Sequence, residues 1–135
     1  MIRIDSPRTP KDLLAKVDRL FELSAHKIRR LEDSWRPADG APVFTINGRY
    51  TARGWTEWTE GFQYGSSLLQ FDATDERAFL ELGRQHSLTR MAPHLTHVGV
   101  HDHGFNNVST YGALWRMATE GRIEATEWER RFYAL

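Results

Sequence analysis

The chain has 135 residues, 40% of them hydrophobic and 27% charged, enough for one domain with a buried core. Lys plus Arg equals Asp plus Glu at 18 each, so no basic field draws nucleic acid or an anionic membrane by charge. With no cysteine, disulfides, thiolate catalysis and cysteine-ligated zinc are excluded. The opening MIRIDSPRTP carries Arg3, Asp5 and Arg8 and no apolar core, so it does not read as a signal peptide, and no apolar run has spanning length. These features set the expectation of a cytoplasmic protein with neither a nucleic-acid nor a membrane partner.

A first helix is predicted from Thr9, with Pro10 at the first helical position and Asp12 in the first turn. Leu13, Val17, Leu20, Phe21, Ala25, Ile28 and Leu31 follow its apolar spacing, and Trp35-Arg36-Pro37 ends it. Residues 36–54 read as a loop and hairpin insertion, because Asn47-Gly48 between β-favouring flanks is a type I′ signal; a small β-hairpin is expected near 44–51. A second helix is predicted from about Glu57 to Phe71, with Trp58, Phe62 and Leu69 in its apolar stripe. Gly65 inside it costs about 1 kcal/mol against alanine, which points to a close backbone approach. Thr74 is expected to cap a third helix running to about Met91 and closed by Pro93. HLTHVGVHDH reads as a loop. A fourth helix follows from near Asp102 to about Thr119, with Gly112 as a second close-approach position and Gly121 as its breaker. Thr126 and Glu129 form a capping box for a fifth helix, on which Trp128, Phe132 and Leu135 share a face. Trp115 and Trp128 are assigned to packing.

Two segments repeat. WTEGFQYGSSLLQFDATDE aligns with HDHGFNNVSTYGALWRMATEG, with Phe62 and Phe105 43 positions apart. A period in the forties with two helices per unit is the mark of stacked helical hairpins. The starts of the equivalent helices, WTEWTEGF and HDHGF, gather aromatic and polar groups, so side-by-side packing of those helices would put both starts on one rim.

The residues alone leave several roles open. Asp102 is well placed as a helix N-cap, a role compatible with a functional acid. His94, His97, His101 and His103 are of metal-ligand type, but their spacing matches no zinc pattern, so exposed or capping histidines are expected, with no metal and no cofactor. Trp55 and Trp58 suit either a core or a cleft.

Trp58-x-x-Gly61-Phe62, then Phe71-x-Ala73-Thr74-Asp75, then His101-Asp102-x-Gly104-Phe105 resemble, in order and spacing, the opening half of glycoside hydrolase family 88, the unsaturated glucuronyl hydrolases. The resemblance covers residues 50–121. It implies an all-α fold of helical hairpins forming part of an (α/α)₆ barrel. It also implies an oligosaccharide substrate ending in a 4,5-unsaturated uronic acid, with hydration of the C4=C5 bond. By the same resemblance Asp102 is the catalytic acid, Trp58 lines the sugar site with Phe62 and Phe105, and His101 orients the acid. His103 departs from the family's pattern, and the second aspartate of the family has no counterpart in this chain. Six such hairpins need roughly 260 residues, so residues 1–135 are expected to form one unit, the N-terminal portion of such an enzyme, inactive alone and self-associating through its open faces. The rival readings are a non-catalytic helical-repeat binding module and another (α/α)₆ sugar enzyme, such as an epimerase.

Overall fold

A computed structural model describes residues 9–135. The opening stretch read above as no signal peptide lies almost wholly outside the described residues. Thr9 is extended, and its N–H and hydroxyl both donate to Asp12 Oδ2, at 2.7 and 2.9 Å. The 3-10 turn Pro10–Leu13 leads into α1, Leu14–Ser34. Only the second half of α1 packs inward, through Ala25 and Ile28. Leu13 and Leu20, on the expected apolar face, stay 41% and 59% exposed. Trp35 leaves the helix in an extended conformation ahead of Pro37, and its indole N–H donates to the Gly40 carbonyl at 2.9 Å.

The insertion folds as predicted, into a two-stranded antiparallel sheet of β1, Ala41–Ile46, and β2, Arg49–Arg53. Asn47 and Gly48 both have positive φ, 51° and 74°, as the type I′ turn requires. A bulge between Pro42 and Phe44 shifts the register.

α2, Thr59–Thr74, and α3, Arg77–Arg90, form an antiparallel hairpin. Thr74 does not cap α3. It belongs to the last turn of α2, where its hydroxyl donates to the Gln70 carbonyl, and Asp75 closes that helix at φ 59°. The buried face of α2 also differs from the predicted stripe. Trp58, Phe62 and Leu69 are exposed, while Gly61, Tyr64, Gly65, Leu68 and Phe71 are buried. These buried positions keep helical spacing, but two are glycines that carry no apolar side chain, so the visible pattern shifted to the opposite face. Leu68 packs on Gly83 of α3, and the rings of Tyr64 and His86 stack at 4.6 Å.

Pro93 starts a further short turn, α4, Pro93–Thr96, within the segment read as loop. The predicted fourth helix is a continuous run of α5, His103–Asn107, a π-helical stretch Val108–Gly112, and α6, Ala113–Thr119. It ends at Gly121, φ 72°, where the Arg122 N–H reaches back to the Met117 carbonyl at 2.8 Å. α7, Glu127–Tyr133, begins with the predicted capping box: Thr126 N–H donates to Glu129 Oε2 at 2.7 Å, and Glu129 N–H to Thr126 Oγ1 at 3.2 Å. Trp115 and Trp128 are not packed in the core; Trp128 stacks on Phe132 at its solvent side.

The α5–α6 helix runs parallel to α2. Gly61 lies against Asn106, Gly65 against Ser109, and Asp72 pairs with Arg116, a constant offset of 44 to 45 positions. Gly65 makes the predicted close approach, since a Cβ there would stand 2.5 Å from the Ser109 carbonyl oxygen. Gly112 does not; its nearest neighbours leave ordinary van der Waals room. The core lies between these helices and α3, built on Leu68, Phe79, Leu80, Tyr111, Leu114 and Met117. The described chain is thus mainly helical with one small sheet.

Candidate functional site

Parallel packing of α2 and α5 brings their N-terminal ends together. Trp58 precedes the first residue of α2 and Phe62 sits in its first turn; Asp102 precedes α5 and Phe105 sits in its first turn. These four side chains line one open hollow of about 240 Å³. Trp58 meets Phe62 edge-on at 5.4 Å, and Phe62 lies 6.5 Å from Phe105. All three rings are about half exposed, and the Asp102 side chain is 29% exposed.

Asp102 is not an N-cap through its side chain. With φ −63° and ψ −16° it is already helical, which turns the carboxylate away from the amides it would need to reach. Its backbone carbonyl starts the helix instead, accepting from the Phe105 and Asn106 N–H groups at 3.0 and 3.2 Å. The carboxylate is therefore free to face the hollow. His101 stands outside, with its side chain 91% exposed and its Nε2 3.6 Å from Asp102 Oδ1. That separation allows charge attraction but is too long for a hydrogen bond. Aromatic walls with a single carboxylate at the edge suit a ligand that is apolar on one face and polar at its rim.

Behind the hollow lies a polar cluster that the sequence did not reveal. His94 and His103 are buried rather than exposed or capping. His94 Nε2 lies 3.3 Å from Glu60 Oε2, His94 Nδ1 lies 2.7 Å from His103 Nδ1, and His103 Nε2 lies 2.6 Å from His97 Nδ1. Asn106, fully buried, ties this ladder to α2. The Gly61 N–H donates to Asn106 Oδ1 at 2.8 Å, so the amide nitrogen must face the other way. It donates to the Glu57 carbonyl at 3.2 Å and to His94 Nδ1 at 3.1 Å.

A backbone N–H stands at each end of the ladder and orients it. His94 Nδ1 accepts, so its Nε2–H donates to Glu60. At the other end the Gly99 N–H donates to His97 Nδ1 at 3.3 Å, so both ring nitrogens of His103 face nitrogens that already accept a hydrogen bond. Trp55 covers the ladder, nearly parallel to His103 at 5.7 Å and edge-on to His94 and His97 at 5.4 and 5.1 Å. Burial pushes the His103 imidazole below its ordinary range; the neighbouring His94 and His97 push the same way and Asp102 opposes them. The imidazole nitrogens face one another rather than a common point, and among the described residues no three His, Asp or Glu side chains are grouped to hold a metal ion.

Asn106 and Glu60 escaped the sequence reading. The one available signal was Asn106-Asn107, two poor helix formers together inside a predicted helix. Among the described residues no helix is long and apolar enough to cross a membrane. No family model, no curated protein and no solved structure matches the chain.

Proposed function

We propose that the hollow is part of a carbohydrate site, and that the chain is the N-terminal portion of an (α/α)₆ enzyme similar to the unsaturated glucuronyl hydrolases. The observation that carries this reading is the meeting of Trp58 and Asp102. They head two parallel helices one hairpin period apart and line the same hollow. In this reading Trp58, Phe62 and Phe105 hold the sugar rings and Asp102 serves both proton steps. Its protonated carboxyl gives a proton to C4 of the unsaturated uronic acid. The carboxylate so formed takes a proton from the water whose oxygen bonds to C5. Water has then added across the double bond, and the C5 hemiketal opens and releases the neighbouring sugar. His101 stands at the rim on the exposed side of Asp102.

The test is saturation-transfer NMR with a lyase-generated unsaturated disaccharide. Transfer from the aromatic protons to the sugar is expected, and Trp58→Ala should remove it. No transfer, or transfer indifferent to Trp58→Ala, would overturn the reading. The rival reading, a helical binding module without sugar chemistry, is favoured by the exposed apolar half of α1. It predicts no transfer to the disaccharide at all.

A further inference from the structure

We propose that the hollow between the starts of α2 and α5 is a cation cage. Its ligand carries an alkylammonium group, held by the rings of Trp58, Phe62 and Phe105 and by the carboxylate of Asp102.

The residues that line the hollow all suit a positive charge. An aromatic ring is electron-rich on its face, so several rings around one opening attract an ammonium group within about 6 Å of their centres. Trp58 and Phe62 stand at 85°, as two walls meeting at a corner, and Phe105 inclines at 35° to Phe62. Asp102 brings the only formal charge in the lining, where no Lys or Arg takes part. That carboxylate is not committed elsewhere. Among the described residues its one ionic neighbour is His101 Nε2 at 3.6 Å, beyond hydrogen-bond reach and on a side chain 91% exposed. The Asp102 side chain is 29% exposed, so its attraction for a cation acts partly outside bulk water.

An anion has less to hold it. Two helices begin at the hollow, and the N-terminal amides of a helix are ready partners for negative charge. Here those amides are occupied. On α2 the Glu60 N–H donates to the Glu57 carbonyl at 3.4 Å and the Gly61 N–H to Asn106 Oδ1 at 2.8 Å. On α5 the Gly104 N–H donates to the His101 carbonyl at 3.1 Å, and the Phe105 and Asn106 N–H groups donate to the Asp102 carbonyl. A neutral apolar ligand would use the rings alone and leave the carboxylate without a partner. An alkylammonium group uses both. The inference does not rest on the hydrolase reading, because it concerns the charge of the ligand and not the reaction. Held together, the two make the released sugar an amino sugar with a free ammonium group, whose charge offsets that of the uronate. A quaternary amine of the choline type offers the same chemistry on another scaffold.

The experiment titrates the chain with choline chloride and with its neutral carbon isostere, in which a tert-butyl group replaces the trimethylammonium. The ring protons of Phe62 and Phe105 are followed by NMR. Choline is expected to shift them saturably and to bind at least about fivefold more tightly than the isostere. Asp102→Asn should weaken choline about two- to fivefold and leave the isostere unchanged, and Trp58→Ala should weaken choline about threefold or more. A second arm compares glucosamine with N-acetylglucosamine, which lacks the charge. Glucosamine bound more tightly than choline assigns the cation to an amino sugar, and the reverse order assigns it to a quaternary amine. Equal binding of choline and its isostere overturns the proposal. So does binding of neither choline nor glucosamine, or choline binding indifferent to Asp102→Asn. The wild-type comparison decides the matter by itself should the variants not fold. Choline binding without saturation transfer to the unsaturated disaccharide keeps the cage and removes the hydrolase reading. Transfer to the disaccharide with neither cation bound does the reverse.

Discussion

Replacing Gly65 by alanine tests the parallel packing that creates the hollow. Alanine is the better helix former by about 1 kcal/mol, so on propensity alone Gly65→Ala would stabilise α2. The structure reverses that sign. The new Cβ would lie 2.5 Å from the Ser109 carbonyl oxygen, 2.9 Å from its Cβ and 3.1 Å from its carbonyl carbon. Two of these three are backbone atoms inside a helix, so no side chain can turn aside. Ordinary contact requires the helices to separate by about 1 Å, a gap that forfeits a quarter to a half of the dispersion energy of each contact along the seam. Overpacking of this kind costs about 1–3 kcal/mol, and here it also pulls the Gly61 N–H away from Asn106. Gly104→Ala is the matched control. It lies in the first turn of α5 with nothing within 4 Å of its added Cβ, so the same chemistry should stabilise by a few tenths to about 1 kcal/mol. Urea unfolding of both variants against wild type measures the difference, with m-values checked for constancy. Equal stabilisation by the two substitutions would refute the close approach of α2 to α5–α6, and with it the shared rim.

Asn106→Ala should destabilise by about 1–3 kcal/mol in the same assay, because it leaves the buried Gly61 N–H without its acceptor. Asp102→Asn should leave unfolding within about 0.5 kcal/mol of wild type, since the carboxylate caps nothing, while a measurable loss would restore the capping role. Burial pushes the Tyr64 and Tyr111 hydroxyls up to about 12 from an ordinary value of 10.0, so both stay protonated in the fold after they would ionise in the unfolded chain. Stability should therefore hold up to pH 10 and fall as pH rises through about 12, with a shallower fall in Tyr64→Phe, read by circular dichroism.

Local chemistry was legible in the sequence where a short range of residues suffices to determine it. The type I′ turn at Asn47-Gly48, the capping box at Thr126 and Glu129, the proline entry at Pro10 and the stop at Gly121 all took the form their side chains and backbone preferences require. The repeated segments also anticipated that α2 and the α5–α6 helix lie side by side, with Phe62 and Phe105 in their first turns. The buried face of α2 was not, since a glycine face announces itself only through the helix that presses on it. The same reason hid the difference between Gly65 and Gly112, two mid-helix glycines that only the neighbouring chain distinguishes.

The sequence by itself determined the helices, the hairpin, and the aromatic and acidic residues that head the repeated helices, because propensity, capping and turn geometry act within a few residues. Only the tertiary structure decided that Asp102 leaves its cap free, that His94 and His103 are buried in a hydrogen-bonded ladder, and that Asn106 ties that ladder to α2. Those outcomes depend on which groups from distant positions exclude water together, and burial and hydrogen-bond pairing across such distances leave no periodic trace along the chain.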